Sequence, residues 1–149
     1  MKSFRQAFTM IELILVIVVI GILAGIAMTT LSANRNDAMV SAGVNNVKQA
    51  ILDIGGYCIA KGEFGTWQEM TDVNLDNKNK QKRSRYKVEN QNCIVFLRTD
   101  DPESITVKIN NKGYKNSTVC KDISDELIKQ RIAAKKKGTL HVFGGTLIN

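Results

Sequence analysis

Hydrophobic and polar positions divide this chain into three stretches, each with its own period. The first is continuous. From Phe8 to Met28 the only polar side chains are Thr9 and Glu12, and no charge follows Glu12 before Arg35. A helix of that length reaches about 30 Å, the thickness of the hydrocarbon core of a bilayer. The second stretch is periodic. Val40, Val44, Val47, Ile51, Ile54 and Cys58 recur at steps of four and three, which lays one apolar stripe along one side of a helix. Lys48, Gln49 and Asp53 fall elsewhere on the wheel and can face water. Lys61-Gly62 supplies a last turn and a C′ glycine, with Gly55-Gly56 as an earlier possible stop. The two stretches together predict one helix from Phe8 to Lys61. Its first half needs lipid or many neighbours, and its second half needs a domain packed on one side.

In the third stretch the period falls to two. Ile105, Val107 and Ile109 alternate with Thr106 and Lys108, as in a half-buried strand. Strands are predicted at Arg85–Val88, Cys93–Arg98, Ser104–Asn110 and Tyr114–Cys120. Turn clusters at Asp100–Glu103 and Asn110–Gly113 separate them. A short helix follows over Ile123–Lys137, capped by Asp122 or Ser124 and burying Ile123, Leu127, Ile128 and Ile132. Thr139–Phe143 and Thr146–Ile148 make a last strand or hairpin around Gly144-Gly145. Ala60–Lys82, with Trp67, has little periodicity and reads as the loop joining helix to sheet. The fold class is therefore α+β: a long N-terminal helix packed on a small antiparallel sheet, with a short C-terminal helix.

Composition narrows this picture. The 149 residues allow one compact domain and an anchor. The balance of 21 Lys+Arg against 14 Asp+Glu gives a net charge of +7, which suits anionic surfaces without naming one. Six cations and no acid fall between Lys78 and Lys87: Lys78, Lys80, Lys82, Arg83, Arg85 and Lys87. They form a candidate contact for DNA phosphates, and a solvated loop is the plainer reading. Lys135-Lys136-Lys137 adds a second basic cluster. The three cysteines include no CxxC pair. Cys93 and Cys120 are the expected disulfide, leaving Cys58 as a buried thiol on the helix stripe, and Cys58 bridging either of them is the alternative. His141, the only histidine, lies in a strand-like run. No nucleophile–base pair and no phosphate-binding glycine loop is visible, so no enzyme and no cofactor is expected. Asp100, Asp101 and Glu103 could face Ca²⁺, but they lack a full ligand set.

The stretch Ala7-Phe8-Thr9-Met10-Ile11-Glu12, behind Lys2 and Arg5 and ahead of the apolar run, resembles the cleavage and methylation motif of type IV pilins and pseudopilins. The resemblance covers about the first 30 residues. It implies a leader at 1–7, a transmembrane and assembly helix at 8–30, and a periplasmic globular domain at 31–149 that includes the striped half of the helix. It further implies that a prepilin peptidase cuts between Ala7 and Phe8, and that Phe8 becomes an N-methylated N-terminus. Ala7 stands where the family usually has Gly, and Thr29 stands where many members have a helix-kinking proline. In the family the acid at the position of Glu12 pairs with the N-terminal amine of a neighbouring subunit, which gives a carboxylate in lipid its partner. Gly21 and Gly25 form a GxxxG pattern for helix packing. The implied partners are other pilin subunits, the peptidase, an inner-membrane assembly platform and the membrane lipid.

Lys2 and Arg5 place the N-terminus in the cytoplasm. The machine served is type II secretion, DNA uptake or a surface pilus. The rival reading is a secreted or periplasmic binding module behind a signal peptide, with Gly25-Ile26-Ala27 at its cleavage site. An acid in the hydrophobic region and a helical pattern that continues past that site argue against it.

Overall fold

The continuous and the striped runs form one helix, α1, over Met10–Lys61. The structure is a computed structural model that describes residues 9–76, 79, 82–99 and 104–143, and of residues 27–33 it describes the backbone. The chain divides into two compact units, Met1–Asp37 and Ala38–Asn149.

In the second unit the stripe on α1 is buried as its spacing predicts. Val47 and Ile54 are fully enclosed, Val44 and Cys58 nearly so, and Val40 and Ile51 are half-buried. The helix runs through Gly55-Gly56 and stops at Gly62. Gly62 takes the left-handed conformation (φ 70°), and its N–H donates to Cys58 O at 2.8 Å, which satisfies a carbonyl that the helix end would orphan. Gly43 and Gly55 mark where other elements press on α1. A Cβ at Gly43 would overlap Ile123, and one at Gly55 would lie 2.7 Å from the Phe143 ring.

The segment after α1 contains a short helix, α2 (Trp67–Met70). Thr66 and Glu69 close a reciprocal capping box at its start. Trp67, expected in a loop, is buried, with its ring 6.4 Å from that of Phe96.

Among the described residues four strands follow: β1 (Arg83–Val88), β2 (Gln91–Arg98), β3 (Ser104–Ile109) and β4 (Thr139–Val142). They pair antiparallel in the order β1-β2-β3-β4. The β1–β2 hairpin turns through Glu89 and Asn90, both at positive φ, as the right-handed twist of the strands requires of a two-residue loop. Cross-strand register places Ile94 opposite Ile109 and Phe96 opposite Val107. These side chains join the helix stripe in one core with Trp67, Met70, Ile123 and Leu127.

Tyr114–Cys120 is not a strand. Asn111–Asn116 forms α3 and Thr118–Lys129 forms α4. The β-prone run Ser-Thr-Val was misleading, because Ser117 is an N-cap whose hydroxyl accepts from Cys120 N. Val119, Cys120, Ile123 and Leu127 then share one buried helical face. The cap is thus neither Asp122 nor Ser124, and Ser124 is buried with its hydroxyl on Cys120 O. The helix also ends before Lys137. Arg131 turns left-handed (φ 58°), Arg131 N donates to Ile128 O, and Ile132 N donates to Leu127 O, both at 2.9 Å. Those two bonds make a Schellman stop. Thr146–Ile148 lies outside the described residues.

Candidate assembly site on the N-terminal helix

Thr9 opens α1. Its hydroxyl accepts from Glu12 N at 3.4 Å, and its carbonyl accepts from Leu13 N at 3.3 Å. In return the Glu12 carboxylate accepts from Thr9 N at 2.9 Å and from the Thr9 hydroxyl at 2.8 Å, both through Oε2. This reciprocal pattern satisfies two donors that a helix start leaves orphaned. Glu12 Oε1 accepts nothing among the described residues, so half of the carboxylate remains available to a cation. The Thr-x-x-Glu spacing of this box is visible in the sequence, and Thr9 is the capping residue that the apolar pattern does not single out.

From Met10 to Ile26 the side chains of α1 are exposed all round, including Ile11, Leu13, Ile17, Leu23 and Ile26. Gly21 and Gly25 have nothing within 4 Å of an added Cβ, which leaves a strip along which another backbone can approach closely. Among the described residues no helix is long and apolar enough to cross a membrane. The described apolar side chains from Met10 to Ile26 cover about 25 Å at the helical rise, short of a hydrocarbon core of about 30 Å. The apolar run in the sequence extends beyond them on both sides. Ala7 and Phe8 lie outside the described residues.

The other predicted residues sit in the second unit. Lys78 and Lys80 lie outside the described residues. Lys82 and Arg83 are exposed. Asp76 supplies the acid that the basic run lacks. Its carboxylate is 3.1 Å from the Arg85 guanidinium and 3.9 Å from Lys87 Nζ, and it accepts from Arg85 N at 2.9 Å. The run is therefore partly neutralised. Asp100, Asp101 and Glu103 lie outside the described residues.

A disulfide joins Cys93 of β2 to Cys120 of α4. Cys58 is a buried free thiol. Burial pushes its pKa up, and the nearby Arg98 guanidinium pulls the other way. Arg98 in turn lies 4.7 Å from the Trp67 ring centroid and 5.2 Å from that of Phe64, and it donates to Gly65 O. It pins the turn after α1 onto the sheet, and its partners are structural. His141 Nε2 is hydrogen-bonding to Ile132 O at 2.8 Å. Among the described residues no group of His, Cys, Asp or Glu is arranged to hold a metal.

Residues 2–28 match the family model of the prokaryotic N-terminal methylation motif. A long helix on a four-stranded antiparallel sheet, headed by that motif, defines a pilin-like α+β protein. The motif marks the type IV pilin and pseudopilin family. It implies a structural rather than enzymatic protein, processed by a prepilin peptidase, with pilin partners and anchored in the inner membrane before assembly. No solved structure matches the chain.

Proposed function

We propose that this chain is a prepilin-type subunit of a pilus-like filament serving type II secretion or DNA uptake. In this reading the peptidase cuts between Ala7 and Phe8, Phe8 is N-methylated, and residues 8–30 hold the subunit in the inner membrane. The N-terminus faces the cytoplasm and the domain faces the periplasm. The observation that carries the reading is Glu12. It is the one charge on a helix face of exposed aliphatic side chains, and one carboxylate oxygen is left over after the Thr9 bonds are made. A free amine at Phe8, in the same subunit or in its neighbour, is the partner such a group needs away from water. Gly21 and Gly25 provide the close-approach strip between packed helices. The assembly platform then lifts the subunit out of the lipid.

The test is Glu12→Ala in the full chain. Membrane insertion and cleavage are expected to persist, and entry into filaments is expected to fail. Filaments containing Glu12→Ala subunits at the wild-type level would exclude this role. Retention of DNA by the wild-type chain, lost when Lys82, Arg83, Arg85 and Lys87 are neutralised, assigns it to DNA uptake. No retention at low salt leaves secretion or a surface pilus.

A further inference from the structure

Among the described residues, one unpartnered acid and two unpartnered lysines lie at opposite edges of the sheet. Beside β1 runs the segment 72–76. Leu75 bridges Tyr86, and Asp76 N donates to Arg85 O at 2.9 Å. Between this segment and α1 opens a cleft of about 750 Å³ whose lining carries Asp53, Asp72 and Asp76 against Lys87 alone. Asp53 is engaged by Gln49 and Thr71, and Asp76 by Arg85 and Lys87. Asp72 is exposed on the rim and has no partner among the described residues. Its position is fixed by its neighbours, because the Thr71 hydroxyl donates to Asp53 and accepts from Val73 N.

Beyond β3, on the far side from β1, lies a lysine turn. Ile109 N donates to Ala134 O at 3.2 Å, and Lys108 bridges Ala134. Lys135 forms the base of the turn. Its Nζ donates to Tyr114 Oη at 2.9 Å and lies 4.0 Å from that ring's centroid, and Tyr114 donates to Asp125 at 3.1 Å. Gly138, left-handed at φ 79° and packed against Thr106, closes the turn. Lys136 and Lys137 project from this rigid base, exposed and without a partner among the described residues.

We propose that the Lys136-Lys137 turn of one copy docks on the Asp72 rim of the cleft of a second copy. The proposal rests on the filament reading above. The strand order sets the acid rim and the lysine turn on opposite sides of β2, so they meet between copies. Each copy then gives one face and receives the other. Such a heterologous contact propagates as an open helical array unless its rotation closes a ring. Each exposed ion pair is weak alone and screened by salt, and the same contact recurs at every subunit. A DNA backbone is the lesser fit, since Arg85 and Lys87, which would extend a cationic track, are already held by Asp76.

The test uses the full chain in its native cells, with filaments read by shearing and blotting. With Asp72→Cys and Lys136→Cys in one chain, oxidation is expected to give a ladder of covalent multimers, which neither single variant gives. Lys136→Glu with Lys137→Glu is expected to cut filament yield at least about fivefold, and adding Asp72→Lys to restore it. Wild-type filaments, no ladder and no effect of charge reversal overturn the docking and leave the filament reading intact. Absence of a ladder, with DNA retention lost on charge reversal, assigns the turn to DNA and also overturns it. A wild-type chain that forms no filaments removes both.

Discussion

Glu12 and Thr9 show how two residues can settle what a helix terminus does. The box between them closes the start of α1 with one carboxylate oxygen and leaves the other free. The same economy operates at Gly113, where a Cβ would overlap the carbonyl oxygen of Asn92 on β2. Backbone cannot retreat as a side-chain tip can, so Gly113→Ala is expected to lower unfolding stability by roughly 3 kcal/mol, read by chemical denaturation. Cys58 makes a prediction about pH. Its pKa is raised in the folded chain by burial, so the folded state holds the thiol proton more tightly than the unfolded state. Stability should therefore fall as pH rises past the ordinary thiol range, about 8.5. Cys58→Val should flatten that part of the profile, and an unchanged profile would show that Cys58 is not its source.

At the scale of elements, the sequence was most readable where one period ran long enough to dominate. The stripe from Val40 to Cys58 and the Gly62 stop define the second half of α1, and both are where the spacing put them. Ile105, Val107 and Ile109 likewise face the core. Tyr114–Cys120 is helical despite its β-prone side chains because capping chemistry prevails there. Asn110 and Ser117, seven residues apart, each start a helix with a side-chain acceptor. Helix α4 stops well before Lys137 because Arg131, a residue type that does not announce a left-handed stop, turns the chain there. That position offers a test. Arg131→Gly removes the cost of holding a side chain at φ 58° and should raise stability by about 1 kcal/mol, seen as a higher denaturation midpoint with an unchanged slope. Of the site, the cation run was legible, but its neutralisation by Asp76 was not, because that contact depends on how the segment before β1 folds back along it.

At the scale of the whole molecule, the small second unit combines a modest core with one covalent tie. The disulfide links residues 27 positions apart, from the sheet to α4. By chain entropy it should contribute about 3–4 kcal/mol. Cys93→Ser with Cys120→Ser is expected to lose stability on that order while Cys58 stays protected from alkylation in the folded protein. Among the described residues the first unit has no comparable core, and its exposed aliphatic helix acquires a purpose only among neighbours or lipid. Assembly therefore depends on how the N-terminus is processed. Mass spectrometry of the mature N-terminus decides it most directly. N-methylated Phe8 is the predicted result, and a mature chain beginning at Met28 or later would contradict the account.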